Sequence, residues 1–212
     1  MPADRLSPRR RARAIAPGAI AAALVLTAAG CGSSGTSSSQ PAAAGASPTH
    51  RPMAESARFG PDCGMIPATG MGSFHGMAMD PVITAASHNP LLTTFAADVK
   101  TAGLTSDLDS MHSVTVFVPA NSAFKKLSGS EMSMMHSTAE LAKILKYHVV
   151  SGRVTPAELA GGKTLTTLEG DTLKASKMGS VYEVNNADVI CGNVRTANAT
   201  VYVINKVLTP MH

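Results

Sequence analysis

The sequence predicts one α+β domain occupying its last three quarters, and three observations carry that prediction. Helix-start signatures crowd residues 80–158, short β-branched and aromatic runs crowd residues 164–204, and all eight aromatic residues lie between Phe59 and Tyr202. Helices followed by meandering strands is the pattern of an α+β domain rather than of alternating βαβ units. A packed core needs those large side chains, so the domain starts no earlier than residue 58.

The elements follow in order. Asp80-Pro81 and Asn89-Pro90 each place a side-chain acceptor before a proline at the first helical position. The first predicts a helix over 81–86, capped by Asp80. The second predicts one over 90–101, stopped by Gly103. Val114 to Val118 is β-branched and aromatic and ends at Pro119, which reads as a strand. Ser137-Thr138-Ala139-Glu140 has capping-box spacing ahead of Leu141, Ile144 and Leu145, and Thr155-Pro156-Ala157-Glu158 repeats it for a short helical turn. Beyond Gly162 the chain predicts strands over 164–168, 172–175, 181–184, 188–190 and 200–204. Gly170-Asp171 and Met178-Gly179-Ser180 stand at the turns between them.

Charge is unevenly placed. Arg5, Arg9, Arg10, Arg11 and Arg13 are five of the eighteen basic residues, whereas Asp4 is the one acid of fourteen before residue 14. The remainder of the chain is balanced. Its basic pI therefore belongs to the leader and argues for no nucleic-acid partner. Residues 14–30 carry no charge and are apolar around Ile20, Leu24, Val25 and Leu26, too short for a membrane span and suited to a signal-peptide core. They end in Ala28-Ala29-Gly30-Cys31, which resembles the bacterial lipobox, with Ala28 where many have Leu. The resemblance implies cleavage before Cys31 and acylation of its thiol, and two or three acyl chains hold a protein on a membrane. Residues 32–57 are mostly Ser, Gly, Ala, Pro and Thr, a composition that reads as a flexible tether.

Export implies an oxidising compartment, which makes Cys63 and Cys191 candidates for a disulfide, with metal ligation or free thiols as the alternatives. No Cys-x-x-Cys spacing supports a metal.

Three segments resemble one known family. Thr115-Val116-Phe117-Val118-Pro119-Ala120-Asn121-Ser122-Ala123-Phe124 is similar to the first signature of fasciclin domains: a strand, a proline, then Asn121 capping a helix that buries Phe124. Tyr147-His148-Val149-Val150 is similar to the central Tyr-His motif. The run from Asn198 through Tyr202 to Leu208 is similar to the closing segment. Cys63, Asp80-Pro81 and Cys191-Gly192 extend the resemblance to the secreted and lipid-anchored fasciclin antigens of mycobacteria, over residues 58–212. It implies a wedge of helices packed on a small β-sandwich, and surface or matrix association with adhesion as the activity. Read bottom-up, Thr115, Phe117, Pro119, Asn121, Phe124, Tyr147, His148, Asn198 and Tyr202 are foremost structural. The pair Tyr147-His148 reads as a buried, hydrogen-bonded hinge. Asn198-Ala199-Thr200 fits a glycosylation pattern but reads better as a turn into a strand.

No hydrolase elbow, zinc-protease motif or complete phosphate loop occurs, and the expectation is that the protein is not an enzyme. Gly161-Gly162-Lys163-Thr164 reads as a turn before a strand, and Asp107 and Asp109 as solvated loop acids. Met and His do cluster: His75, Met77 and Met79; Met111-His112; Met134, Met135 and His136; Met211-His212. Thioether and imidazole are soft ligands suited to Cu(I). If residues 75–79 are extended, alternation puts His75, Met77 and Met79 on one face.

The resulting expectation has three segments: 1–30 a lipoprotein signal peptide, 31–57 the lipidated cysteine and tether, and 58–212 the fasciclin domain. The protein is expected to be a monomeric adhesion or binding module with no cofactor, at the cell surface on the outer face of the cytoplasmic membrane and partly shed. Its partners are the membrane, through lipid on Cys31, and a surface or matrix protein, glycan or lipid. The rival readings are a Met/His copper binder and a carrier of a small hydrophobic ligand.

Overall fold

A computed structural model describes residues 57–210; the expected signal peptide, Cys31, nearly all of the expected tether and Met211-His212 lie outside the described residues. The chain enters through a 3-10 turn, Pro61–Met65. Four short helices follow: α1 (Phe74–Met79), α2 (Val82–His88), α3 (Thr93–Thr101) and α4 (Thr105–Ser110). Strand β1 (Val114–Pro119) then precedes α5 (Asn121–Phe124), α6 (Gly129–Met135) and α7 (Thr138–Tyr147). The remainder is β2 (Val149–Ser151), α8 (Pro156–Ala160), β3 (Thr164–Thr166), β4 (Thr172–Met178), β5 (Val181–Val184), β6 (Ala187–Arg195) and β7 (Ala199–Ile204). The α+β class and the helix-to-strand order match the expectation.

The strands form one sheet in the order β2-β1-β7-β6-β5-β4-β3. Only β1 and β7 pair in parallel, from Val114 opposite Ala199 to Pro119 opposite Ile204. The other named pairs are antiparallel. The sheet curls so far that its two ends meet: Val150 bridges Thr167, and the Leu168 N–H donates to the Val149 carbonyl at 2.8 Å. The sandwich-like layers are thus two sides of one nearly closed sheet.

Both β1 and β7 are buried along their whole length, as expected of parallel neighbours covered on both faces. Alternation divides their side chains between two cores. Val116, Val118, Val201 and Val203 face the helices, where they join Met77, Leu92, Phe95 and Val99. Phe117, Tyr202 and Ile204 face inside the curl, with Tyr147, Leu159, Leu173 and Val184. Phe117 and Tyr202 stack there with ring centroids 5.6 Å apart.

The N-terminal end of the domain is fastened to β6 where that strand loses its regular register beside Cys191 and Asn193. Phe59 exchanges backbone hydrogen bonds with Gly192, and the Cys63–Cys191 disulfide closes beside them. Gly192 is required there, because a Cβ would stand 2.6 Å from a carbon of the Phe59 ring.

Helix caps differ from the expectation in an informative way. The Thr155–Glu158 capping box forms as expected. Ser137 makes no capping bond, whereas Ser128 and Glu131 form an unforeseen box on α6. Asp80 does not cap α2; it lies at the C-terminal end of α1, 3.6 Å from the His88 ring nitrogen. Asn89 does not cap α3, which begins at Thr93; its side chain instead accepts from Leu91 N–H within the preceding turn. Strands β4 and β6 run longer than expected, and β3 stops at Thr166.

Candidate functional site

The motif residues that invite a functional reading are all placed, and the polar side chains among them are engaged by the protein's own groups. Asn121 opens α5 but does not cap it, contrary to expectation. Its Oδ1 accepts from the N–H of Thr94 at 2.9 Å, and its amide donates to the carbonyl of Pro90 and the hydroxyl of Thr93. It therefore caps α3, a helix 27 residues earlier in the chain. Phe124 is half-buried against the helix-side core.

His148 is completely enclosed. Its Nδ1 lies 2.7 Å from the Ile144 carbonyl, and Nε2 accepts from the Leu208 N–H at 3.0 Å. That pattern puts the proton on Nδ1 of a neutral ring. Burial pushes the ring down to about 4 from the ordinary 6.5, against the opposing bond to Ile144. The histidine thus ties the end of α7 to the segment beyond β7, the structural hinge anticipated. Its neighbour Tyr147 donates to the Thr172 carbonyl and accepts from the amide of Asn185. Burial raises the Tyr147 hydroxyl, and the bond from Asn185 partly opposes this.

Thr115 and Tyr202 do similar work at the β2–α8 connection. The Thr115 hydroxyl donates to the Gly152 carbonyl at 2.7 Å and accepts from Val154 N–H at 2.8 Å. The Tyr202 hydroxyl donates to the Val154 carbonyl at 2.7 Å, and burial raises its pKa. Pro119 ends β1, and Ala120 N–H beyond it reaches the Ile204 carbonyl.

Asn198 is the most heavily used of these side chains. Its Oδ1 accepts from Val82 N–H at 2.8 Å, and its amide donates to the carbonyls of Leu108, Asp109 and Met111. It is buried, with both ends of its amide engaged, and leads into β7. The carboxylate of Asp109, expected to be solvated, completes the start of α2 by accepting from Ile83 N–H and the Thr84 hydroxyl. The start of α2 is therefore capped from 116 and 26 residues away.

Two asparagines of the same kind escaped the sequence reading. Asn185 accepts from Lys174 N–H, and Asn205 accepts from Asp188 N–H while donating to the Asp188 carboxylate. Their sequence signal is an Asn at the end of a β-branched run, doubled as Asn185-Asn186 in the first case, which also describes an ordinary turn.

The metal candidates do not converge as the sequence suggested. Residues 74–79 are helical rather than extended, so the alternation of His75, Met77 and Met79 on one face does not hold. Met77 is in the core, whereas His75 and Met79 are exposed. Met134 and Met135 are half-buried on α6, with Met135 against the core, and His136 is exposed. Among the described residues no group of three or more His, Cys, Asp or Glu is placed to hold a metal ion. One open cavity of about 600 Å³ is bordered by Gly60, Pro61, Val181, Val189 and Ile190. Another, of about 480 Å³, is bordered by Leu104, Leu108, Met111 and Leu168. Of the motif segments, Asn205 of the closing run borders the first cavity, and Thr115, Asn121, Tyr147, His148, Asn198 and Tyr202 border neither.

A model of the fasciclin domain matches residues 90–210, more than half of the chain. The chain belongs to the fasciclin-domain family. It is 42% identical over 172 residues to the immunogenic protein MPB70 of Mycobacterium bovis, covering 75% of this chain and 86% of that one. It is 38% identical over 216 residues to the cell surface glycolipoprotein MPB83 of the same species, covering 94% and 97%. A Synechocystis protein, sll1483, is 34% identical over 132 residues, covering 61% and 73%. Among solved structures, a FAS1 domain pair from the insect cell adhesion molecule fasciclin I matches with a TM-score of 0.47 at 21% identity, covering 56% of this chain and 45% of that one. The fasciclin match begins at Pro90, so the disulfide's Cys63 and helices α1 and α2 precede it.

Proposed function

We propose that this protein is a lipid-anchored fasciclin lipoprotein of the cell surface, held by Cys31 and serving as a binding module in adhesion or another envelope contact. The observation that carries the reading is the 38% identity to a cell surface glycolipoprotein along 94% of this chain. So long an alignment reaches well back into residues 1–56, where the lipobox-like Ala28-Ala29-Gly30-Cys31 lies. The chemistry of the domain agrees with binding rather than catalysis. The buried histidine has both nitrogens committed to backbone groups, and the motif asparagines and hydroxyls are committed likewise. Contacts with a protein, glycan or lipid partner fall to the exposed side chains around this frame.

The anchor is tested by expressing the full chain and a Cys31→Ala variant in an actinobacterial host fed a clickable fatty acid. The wild type is expected to take up the label and partition into detergent, and the variant to do neither. A labelled, membrane-bound Cys31→Ala protein would overturn the assignment. Binding is tested by presenting the purified wild type to envelope and matrix fractions, with a fully unfolded sample as control. Saturable retention of the folded protein alone is expected.

A further inference from the structure

Helix α1 has two unlike sides. Met77 is buried, and its sulfur receives the Asn89 amide at 3.4 Å. His75 and Met79, four residues apart, share the opposite, exposed side, with Cβ atoms about 5–6 Å from each other. A third donor comes from outside the helix. Gly76 has no side chain, and the preceding loop lies directly on it: a Cβ there would stand 2.6 Å from the Met71 Cα and closer still to the Gly70 carbonyl. Position 76 is about 100° around the axis from His75 and about 60° from Met79. The Met71 backbone therefore lies against α1 on the side next to the His75–Met79 stripe.

The loop is fixed in that position. Ser73 sends both its N–H and its hydroxyl to the Gly70 carbonyl, at 3.1 and 2.6 Å. A Cβ on Gly72 would reach within 3.1 Å of the Asn89 Cα, so the loop is also wedged against the end of α2. Two glycines and one serine thus hold the Met71 backbone against α1, and the side chains of Met71 and Met79 are 57% and 72% exposed. A single exposed methionine needs no explanation. Two of them with an imidazole, around one turn of helix and on a fixed backbone, form a set of three soft, uncharged donors.

We propose that Met71, His75 and Met79 form a binding site for one soft monovalent metal ion, Cu(I), with two thioether sulfurs and one imidazole nitrogen as ligands. This set suits Cu(I) and is poor for Mg²⁺ or Ca²⁺, which prefer oxygen. It differs from the donor sets suggested by the sequence: Met77 is excluded by burial, Met71 replaces it, and the half-buried methionines of α6 take no part. The site is independent of the lipid anchor.

The test is a titration of the full chain with Cu(I) in ascorbate, competed by bicinchoninate. Cys31→Ser is present in every sample so that a free thiol does not take the metal. One equivalent is expected to bind, with a shift of the His75 ring resonances. Met71→Leu/Met79→Leu is expected to weaken binding roughly 100-fold or more, since even outer-shell partners are worth about 10–100-fold. Leucine is close to methionine in volume, and an unchanged thermal melt will show that the variant is folded. Met134→Leu/Met135→Leu is expected to leave the affinity within about twofold, the change of a residue outside the ligand set. A wild type that takes no Cu(I) from the competitor overturns the proposal. So does an affinity that survives in Met71→Leu/Met79→Leu, or one lost equally in the α6 variant.

Discussion

The enclosure of His148 predicts a specific sensitivity to acid. In the native protein its Nε2 accepts from Leu208 N–H and its Nδ1 faces the Ile144 carbonyl, so a second ring proton would point a donor at a donor. Its folded pKa is lowered to about 4, against 6.5 in an unfolded chain. Below pH 6.5 the unfolded chain takes up a proton that the native ring refuses. Stability is then full above that pH and falls by about 1.4 kcal/mol per unit as pH drops toward 4, roughly 3 kcal/mol in all. The assay is urea unfolding, followed by far-UV circular dichroism, of wild type and His148→Gln at pH 7, 5.5 and 4.5. Gln cannot titrate, so it should be less stable at pH 7, by about 1–3 kcal/mol for the imperfectly replaced hydrogen bonds. Its stability should also fall less steeply with acid. Other groups titrate in both proteins, including Asp98, whose burial-raised carboxyl acts in the opposite sense, and they cancel in the difference. Equal pH slopes for the two proteins would refute the reasoning.

Two further predictions concern the ties between distant segments. Reducing the disulfide or replacing both cysteines with Ala frees a loop spanning 128 residues of sequence, which on the chain-entropy model costs about 5 kcal/mol; urea midpoints with and without reductant check this, and an unmoved midpoint would sink it. Asn198→Ala strips an acceptor from Val82 N–H and two amide hydrogens that three carbonyls share, a loss of about 3 kcal/mol when net bonds are near 1 kcal/mol each. In a domain of this size that is a fall of about 6–12 °C in Tm by calorimetry, and a change under about 2 °C would contradict the role given to the side chain.

What the sequence made legible was local. Val114 to Val118 and residues 200–204 read as strands because β-branched residues repeat there, and Thr155-Pro156-Ala157-Glu158 carries its whole cap within four residues. The pairing of Cys63 with Cys191 was one of the alternatives that a count of cysteines left open, and the structure realises it. Asp80-Pro81 misled because its cap is local in pattern, whereas the acceptors that finish α2 come from Asn198 and Asp109. Asn121 misled in the same manner, serving a helix other than its own. Helix α1 was missed because its six residues, with a glycine among them, carry little helical preference; packing against the core stabilises it instead. Met71 gave no signal as a neighbour of His75, since its placement depends on two glycines whose role appears only in three dimensions.

The position of β7 bears on how the domain can be made. The last described strand in chain order, β7, lies between β1, some 85 residues earlier, and β6. Until residue 204 has left the ribosome, the β1–β2 pair and the β3–β6 ladder meet at their β2–β3 end, through the Val150–Thr167 bridge, but lack the strand that pairs with both β1 and β6. Neither half of either core can close, and Asn198 and His148 lack the segments they tie. Folding of the domain thus waits for β7, and it proceeds through contacts of long sequence separation, the kind associated with slow folding. A chain ending before β7 would lack the strand that pairs with both β1 and β6, and would leave two unpaired strand edges open to aggregation.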